Sequence, residues 1–445
     1  MRIAFVPIDN RPVCYTMPKI ISSIDGDIEF FIPNREFLGD LRKSADIENL
    51  FEWLKNLPQV DAIILSLDTL AYGGLIPSRR CPETFDEIQQ RIMNLKEILL
   101  SKNCKIYAFS SIMRISNNNY NDEEKEYWTD WGKKIFEYSF NTHKFGKPFK
   151  NNIPKDILSD YLNTRNRNFE INKIYLEWQK EGLFDKLIFS KDDCAQYGLN
   201  VQEAEILEQM GGFTKTGADE IPLSLLARAI NGNIKICPIF TEPNCKNLIS
   251  NYEDVSIEKS VLGQIELAGC SVSDFDSADI ILIVNNFVDH QGEIVMKIDT
   301  KSYNKQLVLP EKPYMIADVR FANGSDNDFV DALFKNKLSD KNFYGYSAWN
   351  TSANSLGSLI CASKVKFLGK HYREDNFKKL QVTRFLDDWA YQANVRQTLA
   401  NPDTDVLTLK MKPYEKKVKE ILNVDFGVKY SYPWKRLFEV EIEFN

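Results

Sequence analysis

Histidine is scarce in this sequence: the 445 residues contain three, at His143, His290 and His371. With rings so few and so widely spaced, neither a histidine-rich metal site nor a Ser–His–Asp triad is expected. The eight cysteines, Cys14, Cys81, Cys104, Cys194, Cys237, Cys245, Cys270 and Cys361, include no Cys-x-x-Cys pair. Neither a zinc ribbon nor a disulfide framework is expected, and these residues read as small buried hydrophobes. No block of five or six Lys and Arg exists to track a phosphate backbone, and the formal charge is −7, so nucleic acid is not expected as a partner. There is no Gly-x-x-x-x-Gly-Lys-Ser/Thr loop and no Gly-x-Gly-x-x-Gly after the first apolar run, so neither ATP, NAD nor any other cofactor is expected. No apolar run approaches the roughly 20 residues that span a bilayer. Met1 leads directly into the run Ile3 to Val6 without a charged leader or a cleavage site, which reads as a cytoplasmic protein with no membrane partner.

What is present is an ordinary globular composition, 43% apolar and 27% charged. Short β-branched runs recur between amphipathic segments. The runs are Ile3 to Ile8, Ile28 to Ile32, Ala62 to Leu67, Lys105 to Phe109, Leu187 to Phe189, Ile234 to Phe240, Ile280 to Val284, Tyr314 to Ala317 and Tyr344 to Ala348. The intervening helices include Ile47 to Leu57, Thr84 to Leu100, Asn200 to Met210, Pro222 to Ile230, Ile257 to Ala268 and Asp326 to Phe334. Such alternation is the βαβ signature of an α/β protein. It predicts a (β/α)8-barrel-like core over 1–376, with two doubly wound parallel sheets as the alternative. Residues 117–185 lack a strand pattern and read as a helical insertion that covers a site, with helices over Glu123 to Phe140 and Ile153 to Trp178. Residues 377–445 read as a helical extension that ends in a short strand, Phe438 to Ile442.

In parallel α/β sheets ligands bind at the carboxyl ends of strands, so those ends were searched for chemistry. The first gives Asp9 and Arg11, which read equally as ligand groups or as a satisfied turn. The third gives Asp68, Tyr72, Gly73, Gly74 and Arg79; an Asp leaving so apolar a run either faces a cleft or meets a partner such as Arg79. The glycine pair permits close backbone approach to a ligand, or marks a turn. Arg114 follows the fourth strand and serves either an anionic substrate group or Asp68.

The sharpest signal is Asp192-Asp193, directly after Leu187-Ile188-Phe189. Adjacent carboxyls in a confined site cannot both ionise cheaply, which makes an acid–base pair; the competing reading pairs Asp192 with Lys191 and uses Asp193 or Asn200 as a helix cap. Asp219 and Glu220 read as a helix start. Later strand ends supply Asn285, then Asp318 and Asn323, then Trp349, Asn350 and Asn354, amides and an indole suited to hydroxyl and acetamido groups. An oxygen-ligated Mg²⁺ or Ca²⁺ at Asp9, Asp68 and Asp318 stays open.

The segments Ser66 to Arg79, Ser190 to Gly198, Gly217 to Glu220, Asp318 to Asp326 and Gly345 to Gly357 resemble the bacterial domain-of-unknown-function family 4127. The likeness runs from Met1 through Arg384 to Trp389 and on to Pro433-Trp434, nearly the whole chain. Locally, Asp192-Asp193 and the Asn350 to Asn354 stretch also resemble glycoside hydrolases of the O-GlcNAc-hydrolase type. That resemblance implies a hydrolase of amino-sugar glycosides in which the substrate's acetamido group attacks. Asp192 would then orient that group and Asp193 protonate the leaving oxygen, while Asp9, Asp68, Asn350 and Asn354 hold hydroxyls and Arg114 meets an acidic substituent. The expected partner is a small-molecule or oligosaccharide substrate, with a homo-oligomer left open. A non-catalytic carbohydrate or metabolite sensor, or a divalent-metal-dependent hydrolase or lyase, are the alternative functions.

Overall fold

A computed structural model describes residues 1–192, 194–336, 338 and 341–445. The chain forms two compact units. Unit 1 holds Met1–Tyr15, Glu29–Pro222 and Tyr252–Asp254; unit 2 holds Thr16–Ile28, Leu223–Asn251 and Val255–Asn445.

Unit 1 is built on six parallel strands, β1 (Arg2–Val6), β2 (Glu29–Phe31), β3 (Ala62–Ser66), β4 (Lys105–Ile112), β5 (Lys186–Lys191) and β6 (Thr214–Thr216), in the order β2-β1-β3-β4-β5-β6. Every residue of β3 is buried, as is all of β4 after Lys105, because both faces of a central parallel strand are covered. Unit 2 repeats the pattern with β7 (Lys235–Phe240), β8 (Ser271–Val272), β9 (Ile280–Asn285), β11 (Tyr314–Asp318) and β13 (Phe343–Ser347), in the order β8-β7-β9-β11-β13. Counted within each unit, both sheets run second, first, third, fourth, fifth, the order of doubly wound sheets. A two-stranded pair, β10 (Gly292–Glu293) with β12 (Phe321–Ala322), and a terminal hairpin, β14 (Val428–Ser431) with β15 (Glu441–Phe444), complete the strands of unit 2.

The anticipated single barrel is therefore replaced by two open parallel sheets. All nine runs chosen from the sequence are strands, but the strand order reverses between β1 and β3 and again between β7 and β9. A reversal sends successive strands to opposite edges, which leaves the sheet open. Periodicity records that a segment is a strand and not which strand lies beside it.

The helix Lys155–Lys180, read as part of an insertion, is the β4-to-β5 crossover. Its C-terminal half buries Ile171, Tyr175, Leu176 and Trp178 in the core that covers β3, β4 and β5. Only its first turns, with the helix Trp128–Phe145, form a separate apolar cluster around Trp128, Ile135, Tyr138 and Tyr161. Residues 377–445 belong to unit 2, where the helix Glu374–Arg384 continues as eleven π-helical residues, Phe385–Val395. Among the described residues, no helix is long and apolar enough to cross a membrane.

Candidate functional site

A reversal of strand order opens a crevice outside the carboxyl ends of the two strands that flank it. In unit 1 these are β1 and β3. Ser66 caps the short helix Leu67–Tyr72 by accepting from Thr69 N, and Gly73 ends it in the left-handed region at φ 88°. The Thr69 hydroxyl lies 2.8 Å from Pro7 O and 2.9 Å from Ile8 O, tying the β3 loop to the β1 loop. A Cβ on Gly73 would sit 2.7 Å from Ser44 Cβ, and one on Gly74, where φ is 136°, would sit 3.3 Å from Ile8 O. The close approach these glycines permit is thus to the chain itself.

Asp9 accepts from Arg11 N at 2.9 Å and from Arg11 Nε at 2.8 Å. Arg11 in turn grips both oxygens of Asp219, at 3.1 and 2.6 Å. Asp219, read from sequence as a helix start, is the far end of this buried Asp–Arg–Asp triad, and burial raises its pKa against the pull of Arg11. Glu220 accepts from Ala218 N, and burial pushes its pKa to about 8.

Asp68 is 1% exposed and accepts from Ser111 N at 2.8 Å; desolvation outweighs that bond and raises its pKa to about 7. Ser111 Oγ accepts from Ser190 Oγ at 3.1 Å, which links Asp68 to the last turn of β5. The hydroxyls of Tyr72 and Tyr175, both in the field of Asp68, are buried without a hydrogen-bond partner among the described residues.

Beside Asp68 lies a charged cluster of two guanidiniums and three carboxylates. Arg79 Nη1 donates to Glu124 at 3.1 Å. Arg114 donates to Glu124 at 3.2 Å, to Glu123 at 2.8 Å and to Asp192 at 3.3 Å. The cluster is graded in exposure: the side chains of Arg79 and Glu124 are 1% and 4% exposed, those of Arg114, Asp192 and Glu123 are 15%, 21% and 24%. The last three form its open side. Lys191 does not pair with Asp192; it holds Asp254 at 2.5 Å, which the Thr216 hydroxyl also reaches. Asp193 lies outside the described residues.

In unit 2 the matching crevice is outside β7 and β9. Asn285 donates to Asp318 at 2.7 Å and accepts from Arg320 Nε at 3.2 Å and from the Thr241 hydroxyl at 3.1 Å. Asp318 also accepts from Asp326 N at 2.9 Å and from the Tyr346 hydroxyl at 3.0 Å. Burial, reinforced by Asp326, raises the Asp318 pKa to about 7. Asn323 donates to Glu293 at 2.6 Å, and its backbone N–H donates to Asn350 O at 2.8 Å; both asparagines adopt φ 59°. Trp349 is 3% exposed and offers no open ring face. Asn354 donates to the Thr351 hydroxyl at 3.1 Å, while its buried Oδ1 has no hydrogen-bond partner among the described residues.

The residues selected from sequence thus divide between the units. Asp68, Arg79, Arg114 and Asp192 gather in unit 1, with Asp9 and Arg11 in a neighbouring triad, whereas Asn285 and Asp318 belong to a separate network in unit 2. Glu123 and Glu124 complete the unit 1 cluster and were missed. They sit in a polar stretch between β4 and the helix Trp128–Phe145, and no local pattern marks a carboxylate whose partners lie 45 and 10 residues away. Among the described residues, no three His, Cys, Asp or Glu converge as a metal ion would need, so Asp9, Asp68 and Asp318 do not form a shared ligand set.

The chain belongs to the family described as Protein of unknown function (DUF4127), whose model matches residues 3–443. No curated protein and no solved structure matches it.

Proposed function

We propose, for this member of a family whose description names no reaction, a hydrolase of glycosidic bonds in amino-sugar substrates with its reacting centre at the β3, β4 and β5 ends of unit 1. The observation that carries the reading is a pair of carboxyls in opposed surroundings: Asp192 is held by Arg114 on the open side of the cluster, while Asp68 is buried and keeps its proton to about pH 7. A carboxyl that keeps its proton near neutral pH, close to one held open by a guanidinium, suits acid–base work.

Asp192, oriented by Arg114, receives the acetamido N–H and so directs the acetamido oxygen at the anomeric carbon. Asp193 takes the place of the acid that protonates the leaving oxygen, as its position after Asp192 suggested. Asp68 holds a further proton, and the Ser111–Ser190 hydroxyl pair joins it to the strand end that carries Asp192. Water then opens the cyclised intermediate and the proton returns to the acid.

Hydrolysis of chromogenic N-acetylhexosaminides by the purified chain tests the reading. Asp192→Asn and Asp193→Asn are expected to lower kcat by about 100-fold or more with melting unchanged, since acid–base groups contribute on the order of 10² to 10⁴. Full activity in both variants, or none in the wild type, removes it. The near-complete burial of Asp68 and Arg79 favours a second reading, a metabolite-binding protein without turnover. An amino sugar that raises the melting temperature and is recovered unchanged would select that alternative.

A further inference from the structure

Arg79 is the most deeply buried guanidinium of the unit 1 cluster, yet it is only half used. Its Nη1 donates to Glu124, while Nε and Nη2, both buried, have no hydrogen-bond partner among the described residues. Those two nitrogens share one edge of the guanidinium, the edge whose parallel N–H groups take two oxygens of a carboxylate or phosphate side-on. Leaving two such donors buried and unmade carries a desolvation cost, larger for a charged group than for a neutral one. Glu123 stands beside the edge without bonding to it: its Oε2 is 3.7 Å from Arg79 Nη2, an ion pair beyond hydrogen-bond reach, while it is bonded to Arg114 at 2.8 Å.

We propose that the ligand of this site carries an oxyanion that seats on the Nε–Nη2 edge of Arg79, and that Glu123 holds the place of that anion when the site is empty. The proposal rests on the placement of the reacting centre given above and adds the chemical class of its substrate: a sugar bearing a carboxylate or a phosphate. Glu123 can yield the seat because it is 24% exposed and lies in a connecting segment ahead of the helix Trp128–Phe145. The incoming anion exchanges one carboxylate for another beside Arg114, so the local charge balance is preserved while the open donors of Arg79 are satisfied. Lys in place of Arg79 would keep the charge and lose the paired donors.

The test is calorimetric titration of the full chain with glucuronate and, separately, with inorganic phosphate. Wild type is expected to bind at least one of them, Glu123→Gln to bind it about tenfold more tightly because the competing anion is gone, and Arg79→Lys about tenfold more weakly. Binding of glucuronate alone identifies a planar carboxylate, of phosphate alone a phosphoryl group, and of both a general oxyanion seat. Absence of binding of either anion to wild type, or equal affinities in wild type and Arg79→Lys, overturns the proposal. The outcome is separable from that of the hydrolase reading: anion binding without hydrolysis leaves this inference standing alone. Hydrolysis of neutral N-acetylhexosaminides by wild type, with neither glucuronate nor phosphate bound, leaves the hydrolase reading and removes the anion seat.

Discussion

The two units present the same sheet order and each holds, at or just past the carboxyl end of a strand, a buried aspartate raised to about pKa 7, Asp68 after β3 in unit 1 and Asp318 on β11 in unit 2. Their surroundings differ. Asp318 accepts from Asn285, from Asp326 N and from Tyr346, and Asn285 is itself bonded to Arg320 and Thr241, so the crevice of unit 2 is filled by its own polar groups. Around Asp68 the accounting does not close: the Tyr72 and Tyr175 hydroxyls and one edge of Arg79 are unmatched, and Arg114, Asp192 and Glu123 reach solvent. Topology locates both crevices, but in unit 1 the unmatched donors lie beside side chains that reach solvent, whereas both oxygens of Asp318 are engaged within the fold. A buried carboxylate so occupied stabilises its unit and has little left to offer a ligand.

That contrast is broken most forcefully by truncating the two acids in turn. Asp318→Ala strands three donors in a fully buried network and is expected to lower the unfolding free energy by about 3 kcal/mol or more. Asp192→Ala, at a partly exposed ion pair, is expected to cost under about 1 kcal/mol. Urea unfolding of both variants measures the gap, and equal losses would show that the open cluster of unit 1 is as structural as the network of unit 2.

A smaller effect follows from pH. Burial raises Asp68 and Glu203 to about 7 and Glu220 to about 8 from ordinary carboxyl values. In each case the folded chain keeps a proton that the unfolded chain releases near pH 4. The stability tied to these protons is therefore fully present in acid and is lost as pH rises through 7 and 8. The melting temperature is expected to be higher at pH 5.5 than at pH 8.5, and Asp68→Asn, whose amide never ionises, should flatten part of that slope. A local loss of about 1–2 kcal/mol is expected at Gly73→Ala, because φ 88° and a Cβ 2.7 Å from Ser44 Cβ leave no room for a side chain. Thermal melts of that variant check it.

How far the sequence was readable follows the same division between local and distant information. All nine β-branched runs became strands, because alternating apolar pattern and turn residues are local. Their order was not readable, since hydrogen-bonded neighbours such as β1 and β3 are about 60 residues apart in sequence. Strands β6 and β8 escaped because three and two residues carry no pattern. The helix Ser352–Leu368 was missed because Ser352, Asn354, Ser355 and Ser358 interrupt the apolar pattern of its first turns, whereas the fold buries them.

At the site, Asp68, Arg79, Arg114 and Asp192 were visible as charges that end apolar runs. Their partners were not. Arg114 meets Glu123, Glu124 and Asp192 rather than Asp68, and Asp219 meets Arg11 from 208 residues away, a pairing that only the folded sheet creates.

The central claim is that chemistry belongs to the crevice of unit 1, with Asp68 holding the proton. Its most direct test is the pH dependence of kcat/KM for an N-acetylhexosaminide in wild type and in Asp68→Asn. The expected result is a wild-type profile that turns near pH 7 and a variant that loses this ionisation while its melting temperature holds. A profile left unchanged by Asp68→Asn would contradict it.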